Sequence, residues 1–352
     1  MNKPLNLDPK KYANDPLAQK LLKEQRELVK NAIDPVFLNE EYDDLRDDLI
    51  AGNNIAIEGE PQTGKTMAAI KAFTDLGIPC TVINFSKAIR PTEWLAEKTL
   101  KTGTDREIVL VEKDVAINAR NGYGTIINEY STAMAEDIQK LLEVLDTTTD
   151  QITLPDGSRI KMDENFRVIV TSNPNCEGNF AMNDATLTRF VHYTLPDIDA
   201  KGFLAMAKKH HPWLSDKFIN TAYKLCAATI AEAKQKTGKK ISVGIRQLDY
   251  LMNSLGARSE RETVTEHVFL RKAAKALINP LYRKGYQLEQ LDLFKNNPIV
   301  QNHLKEMFKE YQKSAPLKGK PLTEIQAAQK TAESENSETA SAGDRFSKYR
   351  VR

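Results

Sequence analysis

Through residue 195, short runs of β-branched and aliphatic residues alternate with longer stretches whose apolar positions recur at helical spacing. "NIAIEG", "PCTVINFS", "GTIIN" and "FRVIVTSNP" predict strands, the last two buried. "FLNEEYDDLRDDLIAGNN" predicts an amphipathic helix stopped at Gly52, and "KTMAAIKAFTDLG" a second helix. "TAMAEDIQKLLEVLDTT" predicts a third, with Met134, Ile138, Leu141, Leu142 and Leu145 on one face. "QITLPDGSRIKM" reads as a hairpin closing at Pro155-Asp156-Gly157, and "REIVLVEKDVAI" as an insertion ahead of "GTIIN". Strands alternating with helices predict an α/β fold, a parallel sheet flanked by helices.

From "LPDIDA" onward the pattern turns helical, through "GFLAMAKKHH", "KFINTAYKLCAATIAEAKQK" and "IRQLDYLMNSLGA". The expected organisation is a polar, helix-rich lead-in over 1–35, an α/β core over 36–195, a helical unit over 196–312 and a tail over 313–352. "KTAESENSETASAGDRFSKYR" is poor in large apolar residues, so the tail is expected to be disordered.

Composition narrows the class. Fifty Lys and Arg stand against 48 Asp and Glu, a net charge of +2, which does not favour a nucleic-acid-coating protein. Cys80, Cys176 and Cys226 fit no zinc spacing. Their odd number and the polar N-terminus "MNKPLNLDPKK" point to a reducing cytoplasm, and no stretch nears the roughly 20 apolar residues of a membrane helix.

Gly59-Glu60-Pro61-Gln62-Thr63-Gly64-Lys65-Thr66 matches G-x-x-x-x-G-K-[ST] between a predicted strand and a predicted helix. The glycines let backbone N–H groups close around phosphate oxygens at the positive end of the following helix. Lys65 would reach the β- and γ-phosphates, and the Thr66 hydroxyl would ligate magnesium. "GTIIN" then runs into Glu129, where a carboxylate can polarise a water for in-line attack on the γ-phosphate. The plain alternative for Glu129 is a surface carboxylate at the start of the next helix. Many nucleotide hydrolases have Asp-Glu at this point; here the first residue is Asn128. An amide oxygen accepts the same hydrogen bonds as a carboxylate but brings no negative charge to the metal. A weakened ATPase is the expectation, since changes in a metal's outer shell cost about 10–100-fold.

In order, "GEPQTGKT", "NGYGTIINEYSTAMAEDIQKLLEVLD", "ITLPDGSRIKMDENFRVIVTSNP", "NDATLTRF" and "VGIRQLDYLMNSL" resemble an AAA+ ATPase of the MoxR/dynein-related branch over roughly residues 38 to 260. The resemblance implies a P-loop NTPase sheet followed by a smaller helical lid, ATP and Mg2+ as cofactors, and a homo-hexameric ring with ATP between subunits. It also implies roles. Asn173 matches sensor 1, which helps position the attacking water; the bland reading is a turn residue before Pro174. Arg189 matches the arginine finger given to a neighbour's γ-phosphate, a role worth about 10³–10⁵ in rate, against a surface ion pair as the alternative. Arg246 matches sensor 2 at a helix start in the lid. Besides Asn128, the loop departs from the branch at Glu60 and Gln62, where small residues are usual.

The partner is less legible. One reading is a protein-remodelling chaperone acting on a separate client, including a protein with a metal-dependent adhesion fold, since no D-x-S-x-S signature occurs in the chain. Another is a nucleic-acid motor, resting on "KQKTGKK" and "RKAAKALINPLYRKGY", although such charge runs are usually solvated helix faces. A third is an assembly scaffold closed by ATP with little hydrolysis. Trp94 lies where such rings carry substrate-gripping loops, with core packing as the alternative. His210-His211, without a carboxylate in view, reads as surface.

Overall fold

The computed structural model describes residues 3–31, 40–100, 108–146, 149–173, 186, 188–237, 244–278, 298–321, 323–328, 330 and 331. The chain divides into two units, Met1–Asp197 and Ile198–Arg352.

The first unit is built on a parallel sheet of β1 (Ile55–Glu58), β2 (Cys80–Asn84), β5 (Gly124–Asn128), β8 (Arg167–Ser172) and β9 (Val191–Thr194), in the order β2-β5-β8-β1-β9. Every residue of β8 is buried, and β5 is buried until Asn128, as a sheet covered on both faces requires. Alternation sorts the side chains. Ile55, Ile57, Ile126 and Ile169 face one core with Phe73, while Ala56, Ile127, Val168 and Val170 face the other with Trp94 and Leu141. Gly124 is fixed by packing, because a Cβ there would lie 2.6 Å from the Phe73 ring.

The helices α1 (Pro16–Asn31), α2 (Glu40–Ala51), α3 (Lys65–Asp75), α4 (Pro91–Trp94), α5 (Asp114–Asn121) and α6 (Ala135–Val144) complete this unit. Within "REIVLVEKDVAI", read as an insertion, β4 (Ile108–Glu112) pairs antiparallel with β3 (Ala96–Leu100) in a two-stranded sheet of its own and leads into α5. The second hairpin pairs β6 (Gln151–Thr153) with β7 (Arg159–Lys161), and Gly157 takes φ 88° in its turn. Met134, expected on the buried stripe of α6, precedes the helix and is 41% exposed, whereas Leu141 and Leu145 are buried.

The lead-in is a strap on the sheet's amino-terminal edge. Asp15 caps α1, accepting the N–H groups of Leu17 and Ala18 at 3.0 and 3.1 Å. Tyr12 donates to the Gly122 carbonyl at 2.6 Å, Asn6 N–H to Asn165 Oδ1 at 2.7 Å, and the Arg167 guanidinium to the Lys3 carbonyl. Gln25 accepts from Cys80 N–H at 2.9 Å, extending the edge strand's hydrogen bonding sideways.

The second unit is helical: α7 (Ala200–His210), α8 (Asp216–Thr237), α9 (Ile245–Ser259), α10 (Glu266–Ala273) and α11 (Pro298–Ser314). The expectation of disorder from residue 313 is corrected. α11 continues to Ser314, a 3-10 turn spans Ala315–Leu317, and Ile325 is buried; apolar Leu317 and Ile325 give this stretch something to pack. Residues 332–352 lie outside the described residues. No helix among the described residues is long and apolar enough to cross a membrane.

Candidate active site

The phosphate-loop sequence sits where β1 ends and α3 begins, at the carboxyl edge of the sheet, where open α/β sheets bind ligands. Gly59 has φ 159°, and a Cβ on it would come within 3.0 Å of both the Leu195 carbonyl and Thr63 Oγ1. Gly64 caps α3 in the left-handed region at φ 88°, which glycine adopts at no steric cost. Gln62 takes φ 74° without that freedom, so the loop is held in a bent shape by its neighbours. Thr63 Oγ1 donates to the Glu60 carbonyl at 2.9 Å. Glu60 itself is buried. The Lys65 ammonium is folded across the loop, donating to the Gly59 and Glu60 carbonyls at 2.9 and 2.8 Å. Phosphate oxygens would be better acceptors for this buried cation than neutral carbonyls.

Asn128, at the end of β5, is the hub. Its Oδ1 accepts the Thr66 hydroxyl at 2.8 Å and the Thr171 hydroxyl at 2.7 Å. Its Nδ2 donates to Asn84 Oδ1 at 2.9 Å. Parallel register explains the last contact, since Asn84 is the Cα partner of Asn128 across β2 and β5. Glu129 follows in the left-handed region, φ 56° and ψ 38°, with its side chain exposed. Its N–H reaches Thr171 Oγ1 at 3.4 Å, and the Thr132 hydroxyl donates to its carbonyl at 2.8 Å. The strand thus ends at Asn128, and Glu129 leaves its side chain exposed to solvent.

The donors here are a hydroxyl and an amide oxygen, with no thiolate or imidazole, a set that suits a hard, largely hydrated Mg2+. Thr66 would hold the ion directly and Asn128 through its water shell. When bound, Mg2+ would neutralise phosphate charge and orient the terminal phosphoryl group.

Asn173 follows β8 at the same edge, one residue beyond Ser172. Arg189 does not join this group. It precedes β9, and Val191 is register partner to Ile55 at the start of β1, so Arg189 lies at the opposite edge of the sheet. Four residue rises, about 13 Å, separate the level of Val191 from that of Gly59. Arg246 is in the second unit, exposed in the first turn of α9. Asn84 and Thr171 escaped the sequence reading. Both are polar residues near the ends of strands flanking β5, a signal visible only once strand order is known.

Two other sequence expectations resolve. Trp94 is fully buried, its ring 5.9 Å from that of Phe85, so it is a core residue. The His210-His211 reading is corrected: Asp249 Oδ1 lies 3.1 Å from His210 Nδ1 and 2.8 Å from His211 Nε2. Burial holds the His211 imidazole below its ordinary pKa, with Asp249 pulling the other way. Among the described residues no cluster could hold a metal through His, Cys, Asp or Glu. A polar cavity of about 1120 Å3, lined by residues including Lys3, Asn54, Glu143, Arg159 and Arg167, opens where β1 and β8 begin; it shares no residue with the phosphate loop.

Residues 54–190 match the model of the AAA domain, dynein-related subfamily. An uncharacterised protein of Staphylococcus aureus strain USA300 is 30% identical over 198 residues, covering 55% of this chain and 75% of that protein. An uncharacterised protein of Staphylococcus haemolyticus is 29% identical over the same shares. The chain belongs to the dynein-related AAA ATPases. A crystal structure of a candidate ATPase from Cytophaga hutchinsonii covers 86% of this AAA chain and 98% of its own, at 13% identity and a TM-score of 0.42. The matched span contains the loop, Asn128 and Glu129 described above.

Proposed function

We propose that this AAA protein binds Mg-ATP at the Gly59–Thr66 loop, hydrolyses it slowly with Glu129 as the water-activating carboxylate, and couples the cycle to remodelling or assembling a separate protein partner in the cytoplasm, in the manner of MoxR-type chaperones. The observation that carries the reading is the hydrogen-bonded line from Thr66 through Asn128 to Thr171, which gathers the phosphate loop, the acidic strand and the strand leading to Asn173 at one edge. Lys65 would bind the β- and γ-phosphates, Glu129 would take a proton from water, and Asn173 would orient that water. Arg189 supports a ring. Sitting at the far edge, it is out of reach of its own loop, so any γ-phosphate it contacts belongs to a neighbouring copy, as in a homo-hexamer. Arg246 would act as sensor 2 from the lid.

One observation favours a second reading. The amide of Asn128 leaves the metal side without the usual negative charge, which fits an assembly scaffold closed by ATP with little turnover. Steady-state hydrolysis, at protein concentrations where sedimentation detects rings, separates the two. Activity abolished by Glu129→Gln, lost in Arg189→Ala and partly restored by mixing those two variants supports the ring ATPase. Rings that assemble with ATP but show no turnover in any variant support the scaffold.

A further inference from the structure

Thr171 is 1% exposed on β8, one residue past the last β5–β8 register pair, Ile127 with Val170. Its single hydroxyl proton goes to Asn128 Oδ1 at 2.7 Å, and a lone pair faces the Glu129 N–H at 3.4 Å. One hydroxyl therefore touches both residues of the Asn-Glu pair. We infer that Thr171 is a positioning residue for hydrolysis, needed because this chain carries an amide rather than a carboxylate at 128. The inference rests on the ATPase reading above.

A carboxylate presents an acceptor whichever way it rotates. An amide does not, since one end donates. With its lone pair turned to Glu129 N–H, Thr171 donates to residue 128 and so selects the rotamer with Oδ1 toward the loop and Nδ2 toward Asn84. Thr66 also donates to Oδ1, and its lone pairs can ligate a metal while that proton stays in place. Thr171 is the donor to Oδ1 whose own oxygen takes no part in holding the ion, and it keeps the amide oxygen on the metal side with or without the metal. Its β-branched side chain, in a strand buried on both faces, has few other rotamers. The Glu129 contact does a second job, tying down a residue in a backbone conformation that side chains with a Cβ rarely adopt.

The test is a double-mutant cycle on the full chain with two readouts: kcat and KM for ATP, and the Mg2+ concentration giving half-maximal binding of a fluorescent ATP analogue. The second readout needs no turnover. Thr171→Val is expected to raise the Mg2+ requirement and lower kcat by about tenfold each, with KM changed by about twofold or less. Thr171→Ser, which keeps the hydroxyl, restores both readouts. In the Asn128→Asp background the same Val substitution costs only about twofold, because a carboxylate needs no orienting. Equal losses in both backgrounds, or none in either, overturn the inference while leaving the ATPase reading intact. Failure of the wild type to bind the analogue at any Mg2+ concentration removes both.

Discussion

Replacing Asn128 by Asp restores a charge that the metal side lacks, and the structure says what it should cost. Two of the three side-chain contacts survive, because a carboxylate accepts the Thr66 and Thr171 hydroxyls at least as well as an amide oxygen does. The third, to Asn84 Oδ1 at 2.9 Å, becomes acceptor against acceptor. Asn84 is exposed, so its amide can turn and offer its NH2 group, holding the net cost to about 1 kcal/mol or less. For a unit of nearly 200 residues, that is a fall in thermal midpoint of about 2–4 °C at most. The gain is larger. An outer-shell partner of a metal is worth about 10–100-fold, or about 1.4–2.7 kcal/mol. Asn128→Asp should therefore lower the half-saturating Mg2+ by about tenfold or more in the fluorescent-nucleotide assay, with a parallel rise in hydrolysis. A control sharpens the argument. Asn84→Asp alone keeps an acceptor for Asn128 Nδ2 and should be nearly silent. Combined with Asn128→Asp it sets two carboxylates about 3 Å apart, repelling by about 1 kcal/mol in water and about 6 kcal/mol at an effective dielectric of 20. The double variant should lose the gain. An unchanged Mg2+ requirement in Asn128→Asp, or additive effects in the pair, would refute the account of this hub.

Trp94→Ala should cost about 3–5 kcal/mol in denaturant unfolding, the price of emptying a fully buried aromatic site; a change within about 0.5 kcal/mol would mean the ring is not in the core. Because burial lowers the folded pKa of His211, the unfolded chain takes up protons first on acidification, so stability is full above about pH 6.5 and falls as pH drops toward the folded value. Asp249, His210 and Lys318 all act on this ring, and His211→Gln should flatten the pH dependence of the thermal midpoint between about pH 7 and 5; an unchanged profile would exclude His211 as its source.

The parts of the site readable from sequence are those whose chemistry is local. Gly59, Gly64, Lys65 and Thr66 lie within one turn and one helix start, so the spacing alone specifies the cradle. Strands β5 and β8 were legible for a related reason, their continuous apolar runs needing cover on both faces. What the residues could not disclose is how strand order joins distant positions. Asn128 contacts residues 62, 44 and 43 positions away, and which of them it meets depends on β5 lying between β2 and β8. The N-terminal strap reaches across 159 positions from Asn6 to Asn165, and its polar composition concealed that it seals a sheet edge. Asp249 comes to the histidine pair from the helix that carries Arg246, 38 positions from His211. The unusual Asn128 was conspicuous in the sequence as a missing charge. In the fold it is a directional group, whose donor and acceptor ends are set by Asn84, Thr66 and Thr171. That orientation, more than the missing charge alone, is what substitutions at 84, 128 and 171 would expose, because only an amide makes the identity of those neighbours matter.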